Sequence, residues 1–161
     1  MQILMRNCTC SYLDYTGRER LHMIKRKVKE IWMITSLQFF LPHRIIGPAV
    51  VSDQDDKEWW INGLKNRAFL PAVEYSNGDQ EWWIHGKKHR KNGPAVIYKN
   101  GTIEWWDWNC LHNEHNPAII YSNGDEEWWF GGKRHREYSP AIVYGSKIYW
   151  FNKGEFVKCT V

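Results

Sequence analysis

Tryptophan is the residue in this sequence best suited to binding chemistry, because the chain has 11 of them and most recur at a fixed step. Glu-Trp-Trp recurs every 23 residues, beginning at Glu58, Glu81, Glu104 and Glu127. A degenerate fifth copy is Ile148-Tyr149-Trp150. The second tryptophan of each copy forms a row, the candidate binding surface, made of Trp60, Trp83, Trp106, Trp129 and Trp150. Indole rings in a row could stack on sugars, on bases or on an aliphatic partner surface. Alternatively, they pack over Pro-Ala segments of neighbouring units, since proteins seldom leave large apolar stripes bare.

The glutamate of each copy could suggest paired carboxylates for acid–base catalysis. An active site is a single constellation, whereas this glutamate recurs in every copy beside columns of arginine and histidine. We therefore predict a ladder of cross-unit ion pairs, each contributing little if it is exposed. The sequence predicts no catalytic residue, no small-molecule substrate and a protein that is not an enzyme.

Cysteine and histidine offer one candidate metal cluster, Cys110-x-His112-x-x-His115. No fourth ligand is visible, and His112 already belongs to a repeated column, so we predict no metal and no cofactor. Cys8-x-Cys10 is a weaker ligand pair. The four cysteines do not recur with the repeat, which indicates a reducing compartment rather than a disulfide framework.

The repeat also predicts the elements that position these residues. Pro-Ala-Val or Pro-Ala-Ile keeps the 23-residue step at Pro48, Pro71, Pro94, Pro117 and Pro140. In the second copy, residues 72–75 predict a short strand, Asn77-Gly78 a two-residue type I′ turn, residues 81–84 the return strand and His85-Gly86 a second turn. The first copy has Gln54-Asp55 at the first turn, which favours a hairpin less.

The type I′ turn would place Val73 opposite Trp82 and Ala72 opposite Trp83. Successive residues of a strand point to opposite faces. The side assigned to the core carries Val73, Tyr75, Trp82 and Ile84, and the other side carries Ala72, Glu81 and Trp83. We therefore expect a mainly β chain: a single-layer antiparallel β-hairpin solenoid of about five 23-residue repeats over residues 43–161, after an N-terminal helical arm, residues 1–42.

The run from Glu81 to Ala95 resembles the MORN repeat, and it is most similar to the tryptophan-rich MORN variants found in proteins of large DNA viruses. Gly86-Lys87 and Asn100-Gly101 carry most of this likeness, which covers residues 43–157. The resemblance implies an elongated, twisted single-layer sheet with roles in scaffolding, membrane-proximal assembly or oligomerisation. It also implies a viral origin and no catalytic residues.

The N-terminal arm predicts a helix from Arg18 to Leu37, because apolar residues follow a helical stripe there. Its positive charges are Arg18, Arg20, Lys25, Arg26, Lys27 and Lys29. A basic amphipathic helix can lie on an anionic membrane or bind a partner groove. The alternative is a capping helix over the open edge of the first hairpin. Residues 31–41 form the longest stretch that is mainly apolar, but it is too short and contains too many polar residues to span a bilayer.

The sequence thus predicts a non-enzymatic structural or protein-interaction scaffold, whose partners are proteins and could include a second copy of the chain. One alternative is a module that binds a glycan or similar repeating ligand through the tryptophan row, and another is membrane-surface association through the basic helix. Nucleic acid is not expected, since the net charge is only +4. The N-terminus lacks a signal-peptide layout, so a cytoplasmic or virion-associated protein is expected rather than a secreted one.

Overall fold

The structure, a computed structural model, describes residues 12–13, 19–20, 28–36 and 39–161, with side chains for residues 29–32 and 41–161. The expectation of a mainly β chain is confirmed, since these residues form antiparallel strands and turns and none of them is helical. The strands are, in chain order, β1 (Tyr12–Leu13), β2 (Glu19–Arg20), β3 (Val28–Ile31), β4 (Met33–Ser36), β5 (Phe39–Pro42), β6 (Val50–Ser52), β7 (Lys57–Glu58), β8 (Trp60–Ile61), β9 (Leu64–Lys65), β10 (Val73–Glu74), β11 (Gln80–Glu81), β12 (Trp83–Ile84), β13 (Lys87–Lys88), β14 (Val96–Ile97), β15 (Ile103–Glu104), β16 (Trp106–Asp107), β17 (Cys110–Leu111), β18 (Ile119–Ile120), β19 (Glu126–Glu127), β20 (Trp129–Phe130), β21 (Lys133–Arg134), β22 (Ile142–Tyr144), β23 (Lys147–Asn152) and β24 (Glu155–Thr160).

Two sets of hairpins alternate along the chain. The first set pairs side by side in a 12-stranded antiparallel sheet, in the order β24-β23-β22-β19-β18-β15-β14-β11-β10-β7-β6-β3. The second set consists of separate two-stranded hairpins, β4–β5, β8–β9, β12–β13, β16–β17 and β20–β21. Each 23-residue unit between β6 and β21 therefore contributes one hairpin to the long sheet and one short hairpin beside it.

The turn of the long-sheet hairpins differs from the predicted type I′ turn. Val73 pairs with Glu81 rather than with Trp82, a shift of one residue. Gly78 N donates to Tyr75 O at 2.9 Å and Tyr75 N to Asp79 O at 2.9 Å, so the loop has three residues. Only Gly78 has a positive φ, 99°, which is the pattern of a type I turn followed by a left-handed glycine.

The first copy forms the same turn without a glycine. Asp55 N donates to Ser52 O at 3.0 Å, Ser52 N donates to Asp56 O at 3.0 Å, and Asp55 takes the positive φ, 64°. Aspartate tolerates this conformation better than most residues. The hairpin that Gln54-Asp55 favoured less is therefore present.

Type I′ turns occur instead at the short hairpins. His85 and Gly86 both have positive φ, 48° and 74°, and they join β12 to β13 in the register Trp83 opposite Lys88. The predicted second turn at His85-Gly86 is confirmed. A two-residue turn of this kind matches the right-handed twist of its strands.

The core lies along the Pro-Ala-Val segments. Every alanine of this column is fully buried: Ala49, Ala72, Ala95, Ala118 and Ala141. Ala72 N donates to Glu81 O at 2.7 Å, and Ala72 O accepts from Trp59 N of the preceding unit at 2.9 Å. Backbone therefore flanks Ala72 on both sides, and its methyl group is fully buried.

The predicted division into a core face and an outer face is wrong for Ala72. Both Ala72 and Val73 are 0% exposed, while Tyr75 and Ile84 are only half-buried. Trp82 is buried as predicted, at 7% exposure, but it lies between strands β11 and β12. The chain bends there, so the alternation of faces does not continue through the Glu-Trp-Trp segment.

The predicted N-terminal helix, residues 18–37, falls partly on residues outside the described part. Where residues 18–37 are described, the structure has strands: β2, β3 and β4. β3 pairs with β6 and forms one edge of the long sheet, so this sheet starts before residue 43. The helix over the remaining residues and the division at residue 42 stay predictions.

Candidate functional site

The second tryptophans are half-buried, and in the four Glu-Trp-Trp copies the indole N–H is bonded to the glutamate two residues earlier. Glu81 and Trp83 illustrate the pattern, with Trp83 Nε1 donating to Glu81 Oε2 at 2.7 Å. The same bond measures 2.8 Å from Trp60 to Glu58, 2.7 Å from Trp106 to Glu104 and 2.9 Å from Trp129 to Glu127. The Glu-Trp-Trp motif thus joins a carboxylate to an indole within each unit.

A cation seven residues after the glutamate completes the set. Lys88 Nζ lies 3.1 Å from Glu81 Oε1, and 5.5 Å and 5.2 Å from the ring centres of Trp83 and Trp106. Lys65 relates in the same way to Glu58 at 3.4 Å, and to Trp60 and Trp83 at 5.5 Å and 5.2 Å. We call glutamate, second tryptophan and cation the Glu-Trp-cation group. Its lysines lie between successive indoles and so link neighbouring units.

The predicted partners of the glutamates are therefore wrong. The ion pairs are made with the lysine or arginine of the same unit, not across units with the arginine and histidine columns. The hairpin turn at residues 85–86 brings Lys88 opposite Trp83, and the indole N–H of Trp83 is bonded to Glu81. The lysine column is a set of functional residues that the sequence analysis missed, although its spacing of seven from each glutamate is visible in the sequence.

Glu127 is the most buried of these carboxylates, at 3% exposure. Burial raises its pKa, but hydrogen bonds from Tyr144, Tyr121 and Arg134 and the charge of Arg134 outweigh burial, so the pKa is lowered. Arg134 Nε lies 3.2 Å from Glu127 Oε2, and Tyr121 donates to Oε1 at 2.7 Å. Burial, together with the hydrogen bond to Glu127, raises the pKa of Tyr144. This carboxylate is held in its ionised form.

The third unit departs from the pattern. Leu111 stands where the other units have Lys65, Lys88 and Arg134. Glu104 accepts hydrogen bonds from Trp106 Nε1 at 2.7 Å and from Tyr98 Oη at 3.1 Å. Among the described residues, no lysine or arginine forms an ion pair with Glu104, whereas Glu58, Glu81 and Glu127 each form one.

The last member of the row, Trp150, lies half-buried in strand β23. Lys158 Nζ of the neighbouring strand β24 lies 4.5 Å from the Trp150 ring centre. This contact resembles the other lysine–indole contacts, but the cation here comes from an edge strand rather than from a short hairpin.

An arginine covers the first tryptophan in three of the four Glu-Trp-Trp copies, while the third copy has Asn113 at the arginine position. The Arg90 guanidinium lies 3.9 Å from the Trp82 ring centre, and its Nη1 donates to Pro94 O at 3.1 Å. Arg67 covers Trp59 at 3.6 Å in the same way. The spacing Arg-x-x-x-Pro therefore has a structural cause: one side chain covers a core indole and also satisfies a loop carbonyl.

The loops between units carry the most exposed apolar side chains. One position per loop forms what we call the loop row, which consists of Ile46, Phe69, Asn92, His115 and Tyr138. Phe69 is 96% exposed and Tyr138 is fully exposed, and both have positive φ, 66° and 59°. Such a backbone costs about 1–3 kcal/mol for a bulky residue, which makes these two exposed rings candidates for a functional role.

An open cavity of about 700 Å³ lies beside the fourth unit. Its walls combine aromatic rings with groups of both charges, among them Trp128, Phe130, Glu114, Glu137, Lys133 and Lys153. Carboxylates and ammonium groups both face it, so the cavity favours neither a cationic nor an anionic ligand.

The candidate metal cluster does not come together. Cys110 is an exposed free thiol, His112 Nδ1 accepts a hydrogen bond from Gly131 N at 3.1 Å, and the His115 side chain is 81% exposed. Within residues 29–32 and 41–161, no three histidine, cysteine or acidic side chains are placed to hold a metal ion. Cys8 and Cys10 lie outside the described residues.

Of the predicted basic residues, Lys29 lies in strand β3, where its Nζ is 3.0 Å from Asp55 Oδ1 in an exposed ion pair. Arg20 lies in strand β2. Arg18 and residues 25–27 lie outside the described part. No helix with the length and apolar character of a membrane span occurs in the ranges that the structure describes.

In comparisons with known proteins, no protein-family model and no curated protein matches this chain.

Proposed function

We propose that this chain is a non-enzymatic protein-interaction scaffold, built as a MORN-like hairpin solenoid of about five units. One observation carries this proposal: the polar groups of the repeated columns bond to each other and to the neighbouring backbone in the same pattern in successive units, with the third unit lacking the lysine and the arginine. Glutamate binds tryptophan and lysine, and arginine covers tryptophan and binds a proline carbonyl. The repeat thereby supplies a rigid support, and the loop row is what it presents to solvent.

The lysine–indole contacts favour this scaffold over the glycan-binding alternative. A sugar ring binds an indole by stacking on an open ring face. Trp83 has Lys65 Nζ at 5.2 Å and Lys88 Nζ at 5.5 Å from its ring centre. A stacked sugar would have to displace these side chains, and both lysines are already paired with glutamates.

The loop row supports protein partners. Exposed aromatic and aliphatic side chains on a rigid backbone are the groups that contribute most to protein–protein binding. Ile45 and Ile46 are 82% and 84% exposed, and Phe69 and Leu70 of the next loop are 96% and 53% exposed. These two loops together give an apolar surface at one end of the array.

The test is affinity capture with a triple loop-row variant. Asn92 already occupies this row, and asparagine tolerates positive φ, so Ile46→Asn, Phe69→Asn and Tyr138→Asn should fold at least as well as the parent. We expect proteins from the native host that crosslink to the parent chain to be lost from the variant, as quantified by mass spectrometry.

The matched control introduces asparagine at exposed turn residues of the long sheet, as Ser76→Asn and Ser122→Asn. This control variant should still capture the same proteins as the parent chain. Equal capture by the parent and the loop-row variant would contradict docking through this row. Turnover of a small molecule by the purified chain would contradict the non-enzymatic proposal.

A further inference from the structure

The third unit is the only copy of Glu-Trp-Trp in which the Glu-Trp-cation group has no cation of its own. Leu111 ends at Cδ and so lacks the two outer atoms, Cε and Nζ, that place the ammonium in Lys65 and Lys88. The carboxylate and indole are nevertheless in the same arrangement, with Trp106 Nε1 bonded to Glu104 at 2.7 Å, as Trp83 is to Glu81 at 2.7 Å. The third unit keeps the acceptor of a cation without the cation.

The charge on Glu104 is balanced only in part. Its two described hydrogen-bond donors, Tyr98 Oη and Trp106 Nε1, are neutral groups. Lys88 Nζ approaches the Trp106 ring at 5.2 Å, but its carboxylate partner is Glu81. A carboxylate that is half-buried beside an indole gains more from a cation than one in open water, because the local dielectric constant is lower.

The surroundings favour a cation from outside the chain. Between Lys99 and Lys133 the sequence contains no lysine or arginine and six carboxylates. The whole chain carries +4, so this middle stretch is a local reversal of charge. The position is also reachable from solvent, because the corresponding side chains Lys65 and Lys88 are 19% and 21% exposed.

We infer that the Glu104–Trp106 pair binds a lysine or arginine side chain of a partner protein, which supplies the missing member of the Glu-Trp-cation group. This inference rests on the proposed scaffold function and specifies the chemistry of one of its partners: a segment rich in basic residues. The bound side chain completes a cation–π contact with Trp106 and an ion pair with Glu104, as Lys88 does with Trp83 and Glu81.

Nuclear magnetic resonance can detect this binding even when it is weak. The indole N–H resonances of the 11 tryptophans are observed in the isotope-labelled chain, and hexalysine is titrated in at physiological ionic strength. We expect a saturable shift of the Trp106 resonance, because its N–H is bonded to Glu104, and much smaller shifts of Trp60 and Trp83. Hexaglutamate should leave Trp106 unchanged.

Two variants test where hexalysine binds: one should block the site at Trp106 and the other should open a new site at Trp83. Leu111→Lys restores the residue found at Lys65 and Lys88, so the chain's own ammonium competes with hexalysine and the affinity should fall about two- to fivefold, the loss of roughly one exposed cation–π contact. Lys88→Leu removes the internal cation of the second unit, and the Trp83 resonance should begin to respond to hexalysine. The matched control is Ser122→Lys, which adds the same charge on an exposed turn that already has Lys99 at the equivalent place.

The inference is overturned if Trp106 does not respond to hexalysine, or if Leu111→Lys and Ser122→Lys weaken binding equally, which would indicate general electrostatic attraction. This outcome is distinguishable from failure of the scaffold proposal. If the loop-row variant loses captured proteins while Trp106 ignores hexalysine, the scaffold remains and only the basic partner segment is wrong.

Discussion

Replacing Trp82 by alanine tests the claim that the first tryptophan of each unit forms the core. Trp82 is 7% exposed, and the Arg90 guanidinium covers its ring at 3.9 Å. Burying a tryptophan removes up to about 250 Å² from water, which at about 25 cal/mol per Å² corresponds to about 6 kcal/mol. The alanine side chain still buries a small part of this area, and the partly collapsed unfolded chain already buries some of it, so the net loss is smaller. We therefore expect Trp82→Ala to lower the free energy of unfolding by about 3–5 kcal/mol, the usual range for such core truncations.

The matched control removes the same side chain from an exposed place. Trp108 is 46% exposed and has a φ of 47°, and Gly131 stands at the equivalent position of the next unit. Trp108→Gly should change the unfolding free energy by less than about 1 kcal/mol, since relief of the positive-φ strain offsets the lost contacts, which include the stack on His89 at 4.4 Å. Urea denaturation followed by circular dichroism measures both variants, with the midpoints compared at equal slope. Similar losses from Trp82→Ala and Trp108→Gly would refute the assignment of Trp82 to the core.

Three further predictions concern pH, the contacts between units and the N-terminal arm. Folding lowers the pKa of Glu127, so its ionised carboxylate stabilises the fold at pH values above the ordinary pKa of 4.5. This stabilisation is lost as the pH falls through the lowered pKa of the folded state. The melting temperature should therefore drop in that acid range, and it should drop less steeply for Glu127→Gln. His112 Nδ1 accepts from Gly131 N at 3.1 Å, so His112→Asn should keep the melting temperature within about 2 °C and His112→Ala should lower it by about 4 °C, an outcome contradicted if both variants behave alike. If the arm associates with membranes, neutralising residues 25–27 with glutamine should reduce cosedimentation with anionic liposomes, whereas equal cosedimentation would remove that alternative.

The hairpins were predictable because each has a local signal. Asn77-Gly78 and His85-Gly86 mark the two turns of a unit, and both turns are present in the structure. Repetition strengthened the signal, since a pattern that recurs every 23 residues is not confused with an isolated turn sequence.

The register of the long-sheet hairpin was not predictable from the turn residues. Asn-Gly fits both a two-residue turn and a three-residue turn with a left-handed glycine. Asp79 Oδ1 accepts from Lys99 N of the next unit at 2.8 Å, a contact between units that no local pattern reveals. A register error of one residue changes which side chains face each other across the hairpin, so Val73 pairs with Glu81 and not with Trp82.

The candidate site was predictable in part. The tryptophan row was visible in the sequence, and the structure brings it together with the lysines. The contact of Lys88 with Glu81 depends on the short hairpin folding back, so a distance of seven residues along the chain becomes 3.1 Å in space. Phe69 and Tyr138 were missed because their positions in the repeat vary in residue type, and only the structure shows their exposure.

Most side-chain bonds to the backbone of another unit run in one direction; an exception is Lys88 N, which donates to Asn109 Oδ1 of the following unit at 2.7 Å. Asp56, Asp79 and Asp125 each offer a carboxylate oxygen to a backbone N–H about one unit later in the chain, at 2.8 Å in every case. His112 and His135 do the same with their Nδ1 atoms. Through these aspartates and histidines, a unit binds a main-chain amide of its successor and receives a particular side chain from its predecessor. Grafting a foreign hairpin onto the C-terminal side should be tolerant of sequence, whereas grafting onto the N-terminal side should demand an acceptor at these two places.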